Sequence, residues 1–224
     1  MDLEDRRYFI DRYRSRLIQF GYSPESLGWG KHGRQDVRFA VLAEYALAAP
    51  ESSVLDYGCG FADLYDFLQA RGWRGHYVGV DIVPDLLAVA RQRHPDLDLR
   101  DFDADDEQMT FGDFDFVIAS GVFNARLPVG DNSAHIIRSM QALFRHTRVA
   151  LSIDFLSTYV DFQKPDAWHT NPAWLFDQAK RLGRRVLLRH DYMPFEFAVT
   201  IFKNETLSER NVFEAFERRL PRPE

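Results

Sequence analysis

Cysteine is nearly absent from this chain, because Cys59 is the single thiol among 224 residues. One cysteine cannot form an intrachain disulfide, and the cysteine-rich ligand sets of structural zinc sites are missing. Long apolar runs are missing as well: no stretch approaches the ~20 apolar residues of a membrane span. The charged N-terminus lacks the apolar segment of a signal peptide. We therefore expect a cytoplasmic protein with no bound metal and no membrane partner.

Basic residues are fewer than acidic residues in this chain. Lys and Arg total 28 against 34 Asp and Glu, which gives a formal net charge of -6. Proteins that bind nucleic acids normally present a basic surface, so this balance favours a small-molecule substrate and no nucleic acid. The 46% of hydrophobic residues can form one sizeable core in a chain of this length.

The N-terminal part of the chain, residues 1–48, is predicted to form a helical cap. Between Asp2 and Phe20, apolar residues recur at helical spacing among Arg and Asp, which predicts an amphipathic helix. The segment Gly21–Gly33 is rich in Gly, Ser and Pro, so it predicts a loop. A second helix is expected over about Gln35–Ala48, before a proline ends it. The cap would pack on the main body or cover a site.

Residues 49–204 are predicted to form an α/β core, followed by a tail over 205–224. Short β-rich runs alternate there with helical stretches, which predicts right-handed crossovers and a parallel sheet. Two later runs, Arg185–His190 and Glu196–Phe202, are too close to hold a crossover helix and predict an antiparallel hairpin at the sheet edge. We expect a seven-stranded, mostly parallel sheet, its last strand antiparallel, flanked by helices. The other predicted elements are strands Ser53–Tyr57, His76–Asp81, Leu97–Asp101, Phe114–Ala119 and Arg148–Asp154, and helices near Asp63–Arg71, Pro84–Arg93 and Ser133–Phe144.

A glycine turn follows the first predicted strand. The segment Val54–Leu64 reads VLDYGCGFADL, in which Gly58 and Gly60 let a ligand lie against the backbone. Asp81 ends the next strand, and this pairing is the signature of a nucleoside-binding α/β sheet. A dinucleotide fingerprint would place a third glycine where Asp63 stands, and that carboxylate would lie near a pyrophosphate. NAD and FAD are therefore disfavoured.

A cofactor with a cationic amino-acid end suits this turn better, because the carboxylates of Asp56 and Asp63 can hold an ammonium group. The segment DYGCGFA resembles the first motif of the class I S-adenosylmethionine-dependent methyltransferases, a strand ending in (D/E)xGxGxG, with Ala62 replacing the last glycine. The resemblance continues in order through YVGVD, DFDADD and FDFVIASGVFN.

The resemblance implies transfer of a methyl group from S-adenosylmethionine, with S-adenosylhomocysteine as the product. It implies that the glycine turn holds the methionine part, that Asp81 accepts the ribose hydroxyls and that Asp103 contacts the adenine. The basic cluster after the cap loop favours Gln35 or Arg38 near the cofactor carboxylate. The predicted cofactor residues are Asp56, Tyr57, Gly58, Cys59, Gly60, Asp63, Asp81, Ile82, Asp103, Ala104, Ser120, Gly121, Phe123, Gln35 and Arg38.

Catalysis by such an enzyme does not require a base, because positioning and removal of water supply most of the acceleration. A hydroxyl acceptor would still need a group that takes its proton. We name three candidates. His169 precedes a helix, where it could also bond a loop carbonyl; His190 leaves the sixth strand beside Asp191, although adjacent strand residues point to opposite faces. Asn124 could bond an acceptor or form a turn.

The sequence also bears on several alternative functions. A metal-dependent O-methyltransferase would need a carboxylate at Ser120 and an Asp-Asn pair where Asp154 precedes Phe155, so no metal is predicted. Base methylation of nucleic acids would need prolines after Asn124. A catalytically silent cofactor-binding module that regulates or scaffolds a partner, and a nicotinamide-dependent oxidoreductase, stay open. The sequence leaves the acceptor atom open among oxygen, nitrogen and carbon. It also leaves the oligomeric state open between monomer and homodimer.

Overall fold

A computed structural model describes residues 1–28, 34–102 and 112–204. The strands within these ranges are β1 (Val54–Tyr57), β2 (Tyr77–Asp81), β3 (Asp98–Asp101), β4 (Phe114–Ala119), β5 (Thr147–Leu156), β6 (Arg185–Met193) and β7 (Glu196–Phe202). They form one seven-stranded sheet in the order β3-β2-β1-β4-β5-β7-β6. The first five strands pair in parallel, and β7 lies antiparallel between β5 and β6. The predicted fold class is confirmed, including the antiparallel last strand.

The helices are α1 (Leu3–Phe20), α2 (Gln35–Leu42), α3 (Glu44–Leu47), α4 (Asp63–Gln69), α5 (Pro84–Arg93), α6 (Asn132–Arg145) and α7 (Pro172–Leu182). The single helix predicted over Gln35–Ala48 is instead two helices, because Ala43 leaves the helical region with a ψ of 5°. Within the described ranges, no helix combines the length and the apolar character needed to cross a bilayer. The tail, 205–224, lies outside the described residues, and the division into cap, core and tail stays a prediction.

The sheet has a hydrophobic layer on each face, because successive side chains of a strand point to opposite sides. In β1, Leu55 and Tyr57 pack with the residues of α6 and α7, whereas Val54 packs with those of α2, α4 and α5. All four residues of β1 are buried. A strand covered on both faces reads as a continuous apolar run, which is why the sequence pattern was clear here.

The strand order reverses beside β1, since the chain leaves β1 for β2 on one side and returns to β4 on the other. In a parallel sheet the carboxyl ends of these strands meet at one edge, and a crevice opens where the order reverses. The turn after β1 therefore lies beside the loop after β4.

Helix α1 lies across that edge of the sheet and is held at both sides. On one side Arg6 bonds the carboxylate of Asp101 at 2.7 Å. On the other side Asp5, which is 0% exposed, accepts hydrogen bonds from the backbone N–H groups of Val129 (2.9 Å) and Gly130 (3.0 Å). The buried, fully bonded carboxylate of Asp5 anchors α1 more firmly than the exposed ion pair does.

Candidate cofactor site

A cavity opens to solvent at the carboxyl edge of the sheet. Its floor is the glycine turn and the ends of β2 and β4, and its cover comes from α1 and the loop after it. Most of the predicted cofactor residues line it: Gln35, Asp56, Tyr57, Gly58, Cys59, Gly60, Asp81, Ile82, Ser120 and Gly121.

The glycine turn has backbone conformations that favour glycine. Gly58 has a φ of +78° and Gly60 a φ of +54°. A Cβ added to Gly58 would lie 2.4 Å from Cγ2 of Val122, so the turn and the loop after β4 are in direct contact. Ala62, at the place of the family's last glycine, keeps a φ of +62° although it carries a Cβ. The turn thus holds a glycine-type conformation despite the departure from the motif.

Asp81 joins the turn to the end of β2. Its Oδ2 accepts the backbone N–H of Gly60 at 2.8 Å, and its Oδ1 accepts that of Val83 at 2.9 Å. Burial raises the pKa of Asp81 to about 6, although both N–H bonds oppose the shift. Each carboxylate oxygen has a second lone pair. The side chain can therefore accept two neighbouring hydroxyl groups from the cavity.

Asp56 lies one strand away and is paired with a tyrosine. The hydroxyl of Tyr77 donates to Oδ2 of Asp56 at 2.6 Å. Burial raises the pKa of Asp56 to about 7, and the bond from Tyr77 opposes this shift. Because a nearby cation favours the charged form of a carboxyl group, a ligand ammonium would be held by ionised Asp56. Burial likewise raises the pKa of the Cys59 thiol, which makes it a poor nucleophile.

These buried carboxyl groups predict an unusual pH dependence of stability. Asp56, Asp81 and Asp154 have pKa values of about 7, 6 and 7, above the ordinary 3.8. Between about pH 4 and pH 7 the native state therefore binds more protons than the unfolded state, so the free energy of unfolding falls as pH rises. We expect the melting temperature of the ligand-free protein to fall across this window, and Asp56→Asn to make the decline shallower. A melting temperature that rises from pH 5 to pH 7 would contradict this.

Some predicted cofactor residues have other partners. Asp63 does not line the cavity but accepts from Tyr22 at 2.9 Å and pairs with Arg93 at 2.8 Å, which fixes the cap loop to the turn. Arg38 is paired with Glu196 instead of facing the cavity. Phe123 is buried and is not part of the cavity lining. Asp103 and Ala104 lie outside the described residues. For all of these residues, a role in cofactor binding stays a prediction.

The three catalytic candidates do not line the cavity. Oδ1 of Asn124 accepts the backbone N–H of Leu156 at 2.7 Å, so its amide has a structural partner. Nδ1 of His169 lies 2.8 Å from the carbonyl oxygen of Ser157, which is the alternative that the sequence left open for it. The His190 ring packs 6.1 Å from that of Phe197. A catalytic role for each stays a prediction, which this geometry does not favour.

Sequence reasoning missed two parts of the site. One is the apolar lining from helices and loops; Phe9 recurs one helical turn before Tyr13, which was the available signal. The other is Asp154 at 0% exposure, whose Oδ2 accepts the Ser120 hydroxyl at 2.9 Å and whose Oδ1 accepts the Gly121 N–H at 2.6 Å. The missed lining residues include Phe9, Leu27, Phe39, Val83, Leu86, Phe102, Val122 and Ala125. Over the described ranges, no group of three or more His, Cys, Asp and Glu could hold a metal ion.

A mostly parallel sheet of this strand order, with a glycine turn bonded to a strand-terminal carboxylate, defines a nucleoside-binding α/β protein. Residues 54–148 match the family model of a methyltransferase domain. The chain is 34% identical over 161 residues to Rv1506c of Mycobacterium tuberculosis, named as a methyltransferase, with 70% of this chain and 96% of that protein covered. It therefore belongs to the class I S-adenosylmethionine-dependent methyltransferases, and it is a methyltransferase whose cofactor is S-adenosylmethionine.

Solved structures share the fold at low identity. Magnesium protoporphyrin IX methyltransferase from Synechocystis, with bound S-adenosylhomocysteine, superposes with a TM-score of 0.64 at 15% identity, covering 89% of this chain and 100% of that one. The small RNA methyltransferase HEN1 superposes at 0.57 and 18% identity, covering 78% of this chain and 25% of that one. One fold therefore carries acceptors as different as a porphyrin and an RNA.

Proposed function

We propose that the chain transfers the methyl group of S-adenosylmethionine to a small, largely apolar acceptor bound at the β4 end of the cavity. The observation that carries this proposal is the mixed character of the lining. Polar groups come from the glycine turn, Asp56 and Asp81, and apolar side chains such as Phe9, Phe39 and Val122 line the same cavity. The polar groups suit an adenosyl amino acid, and the apolar side chains suit the body of an acceptor.

The polar residues of the lining fit the cofactor. Asp81 would accept the two ribose hydroxyls, and Phe102 at the β3 side would lie beside the adenine. Gly58 would hold the amino-acid end, and Asp56 would pair with its ammonium group. When bound, S-adenosylmethionine supplies a methyl group on a good leaving group. The chain's own contribution is to orient this methyl group and to exclude water from it.

The cover by α1 favours a small acceptor over a macromolecule. Phe9 and Tyr13 of α1 line the cavity, and Asp5 ties the helix to the loop after β4. A helix fixed in this position narrows the entrance for a folded RNA or protein. The net charge of -6 acts in the same direction, since it repels a polyanion.

The test is a turnover screen with the full chain and S-adenosylmethionine. Pools of phenols, carboxylic acids, amines and thiols are compared with a transfer RNA pool, and both S-adenosylhomocysteine and the methylated product are measured by mass spectrometry. We expect a small molecule to be methylated, with less product formed when Asp81→Asn replaces the wild type at a limiting concentration of S-adenosylmethionine. Methylation of the RNA pool alone would contradict the proposal. Binding of the cofactor without turnover in any pool would favour a silent binding module instead.

A further inference from the structure

A buried carboxylate lies directly behind the cavity wall. Asp154, near the end of β5, is 0% exposed and accepts hydrogen bonds from the Ser120 hydroxyl at 2.9 Å and the Gly121 N–H at 2.6 Å. Both Ser120 and Gly121 line the cavity. The charge of Asp154 is therefore separated from the ligand by a single hydroxyl group and a peptide N–H, with little water to screen it.

The groups that face Asp154 leave its charge only partly compensated. Glu196 on β7 and Arg38 on α2 form a buried bidentate pair, with Nε donating to Oε2 at 2.5 Å and Nη2 donating to Oε1. The guanidinium of Arg38 is thus already engaged by one carboxylate, and it compensates the charge of Asp154 only in part. The hydroxyl of Tyr192 on β6 is also buried close by and has no hydrogen-bond partner among the described residues.

The protonation of Asp154 is balanced near neutral pH. Burial, and then the charge of Glu196, raise its pKa to about 7, while Arg38 and the bonds from Gly121 and Ser120 oppose the shift. A positive charge that arrives on the other side of Ser120 would stabilise the ionised form. A neutral ligand in the same position would not.

The strand order indicates where the cofactor's positive charge lies. Asp81 and Phe102 stand at the ends of β2 and β3, at one end of the cavity. An adenosyl group held there would direct its sulfur the other way, past β1 toward Ser120 at the end of β4. S-adenosylmethionine carries a sulfonium at this atom, whereas S-adenosylhomocysteine carries a neutral thioether.

We propose that Asp154, acting through Ser120, senses the sulfonium charge and lets the site distinguish the methyl donor from its demethylated product. This inference rests on the proposed function. Binding of the donor releases the carboxyl proton of Asp154 to solvent. When methyl transfer removes the sulfonium charge, the carboxylate regains a proton from solvent, and Asp154 no longer contributes to holding the ligand. Both ligands carry the ammonium group near Asp56, so its contribution to binding cancels in the ratio of the two affinities.

The experiment is isothermal titration calorimetry of the full chain with S-adenosylmethionine and S-adenosylhomocysteine between about pH 6 and pH 8, in buffers of different ionisation enthalpy. We expect the ratio of the two affinities to rise several-fold with pH in favour of the donor, with more protons released by the donor. Deprotonation of the ligand's own ammonium weakens binding as pH rises, so it cannot produce this increase. Asp154→Asn is expected to remove the pH dependence of this affinity ratio. It should weaken binding of S-adenosylmethionine about tenfold and change binding of S-adenosylhomocysteine little.

Ser152→Ala is the matched control. Ser152 is a buried polar residue on the same strand, bonded to Thr200 at 3.1 Å and not part of the cavity lining. Its loss should leave the ratio as in the wild type. An affinity ratio that is constant with pH in the wild type would overturn the inference, whether or not the variants fold. So would an equal weakening of both ligands by Asp154→Asn. If neither ligand binds the wild type, the proposed function itself fails.

Discussion

Gly58→Ala is expected to abolish binding of both S-adenosylmethionine and S-adenosylhomocysteine. Gly58 has a φ of +78°, a region that costs a residue with a Cβ about 1–2 kcal/mol. The added Cβ would also lie 2.4 Å from Cγ2 of Val122, so the Val122 side chain or the turn must shift. Since both line the proposed cofactor site, a shift of either one disrupts it. Calorimetry with S-adenosylhomocysteine measures the loss.

Gly72→Ala separates the backbone cost from the steric one. Gly72 has a φ of +84°, but a Cβ there would meet no atom within 4 Å. It lies after α4 and does not line the cavity. Both variants should lower the melting temperature, and only Gly58→Ala should lose the ligand. Wild-type affinity in a folded Gly58→Ala protein would remove the turn from the binding site.

Asp81→Asn is expected to weaken both ligands about tenfold or more, because a hydrogen bond to a charged group contributes about 1.5–3 kcal/mol. The carboxylate accepts from Gly60 and Val83 at once. An amide of the same size offers one oxygen, and its NH₂ group would face a backbone N–H. The variant thus loses the charge that receives the ribose and also loosens the turn. Titration of S-adenosylhomocysteine gives the ratio of dissociation constants.

Asp101→Asn is the matched control for this change. Asp101 pairs with Asp81 across the β2–β3 register, but it is exposed and bonded to Arg6 on α1. An exposed ion pair contributes about 0–1 kcal/mol, so its loss should change affinity little. If Asp101→Asn weakens binding as much as Asp81→Asn does, the loss of affinity comes from the reduced negative charge at this edge of the sheet. It would then not come from a direct contact between Asp81 and the ligand.

The sequence predicted the fold and the floor of the site because local chemistry determines both. A buried parallel strand must be apolar throughout, and a sharp turn under a ligand needs residues such as Gly58. The register of β1 with β2 then brings Asp81 to the same edge. These requirements act over short stretches, so they leave a pattern that can be read without knowledge of the tertiary structure.

Two parts of the site could not be predicted from short stretches of sequence: the cover by α1 and the buried polar residues around Glu196. Asp5 contacts Gly130, which is 125 positions away in the sequence. Arg38 contacts Glu196, which is 158 positions away. The neighbouring basic residues in the sequence predict a cofactor contact for Arg38, whereas the fold pairs it with the buried carboxylate of Glu196. His169 shows the same limit, since only the structure places its ring beside a loop carbonyl.

The most direct test of the account is calorimetric titration of the wild-type chain with S-adenosylhomocysteine, the stable product of the reaction. Saturable binding of one molecule per chain, lost in Gly58→Ala and retained in Gly72→Ala, is the result we predict. A folded wild-type protein that binds neither this compound nor S-adenosylmethionine would contradict the assignment of the cavity and every step built on it.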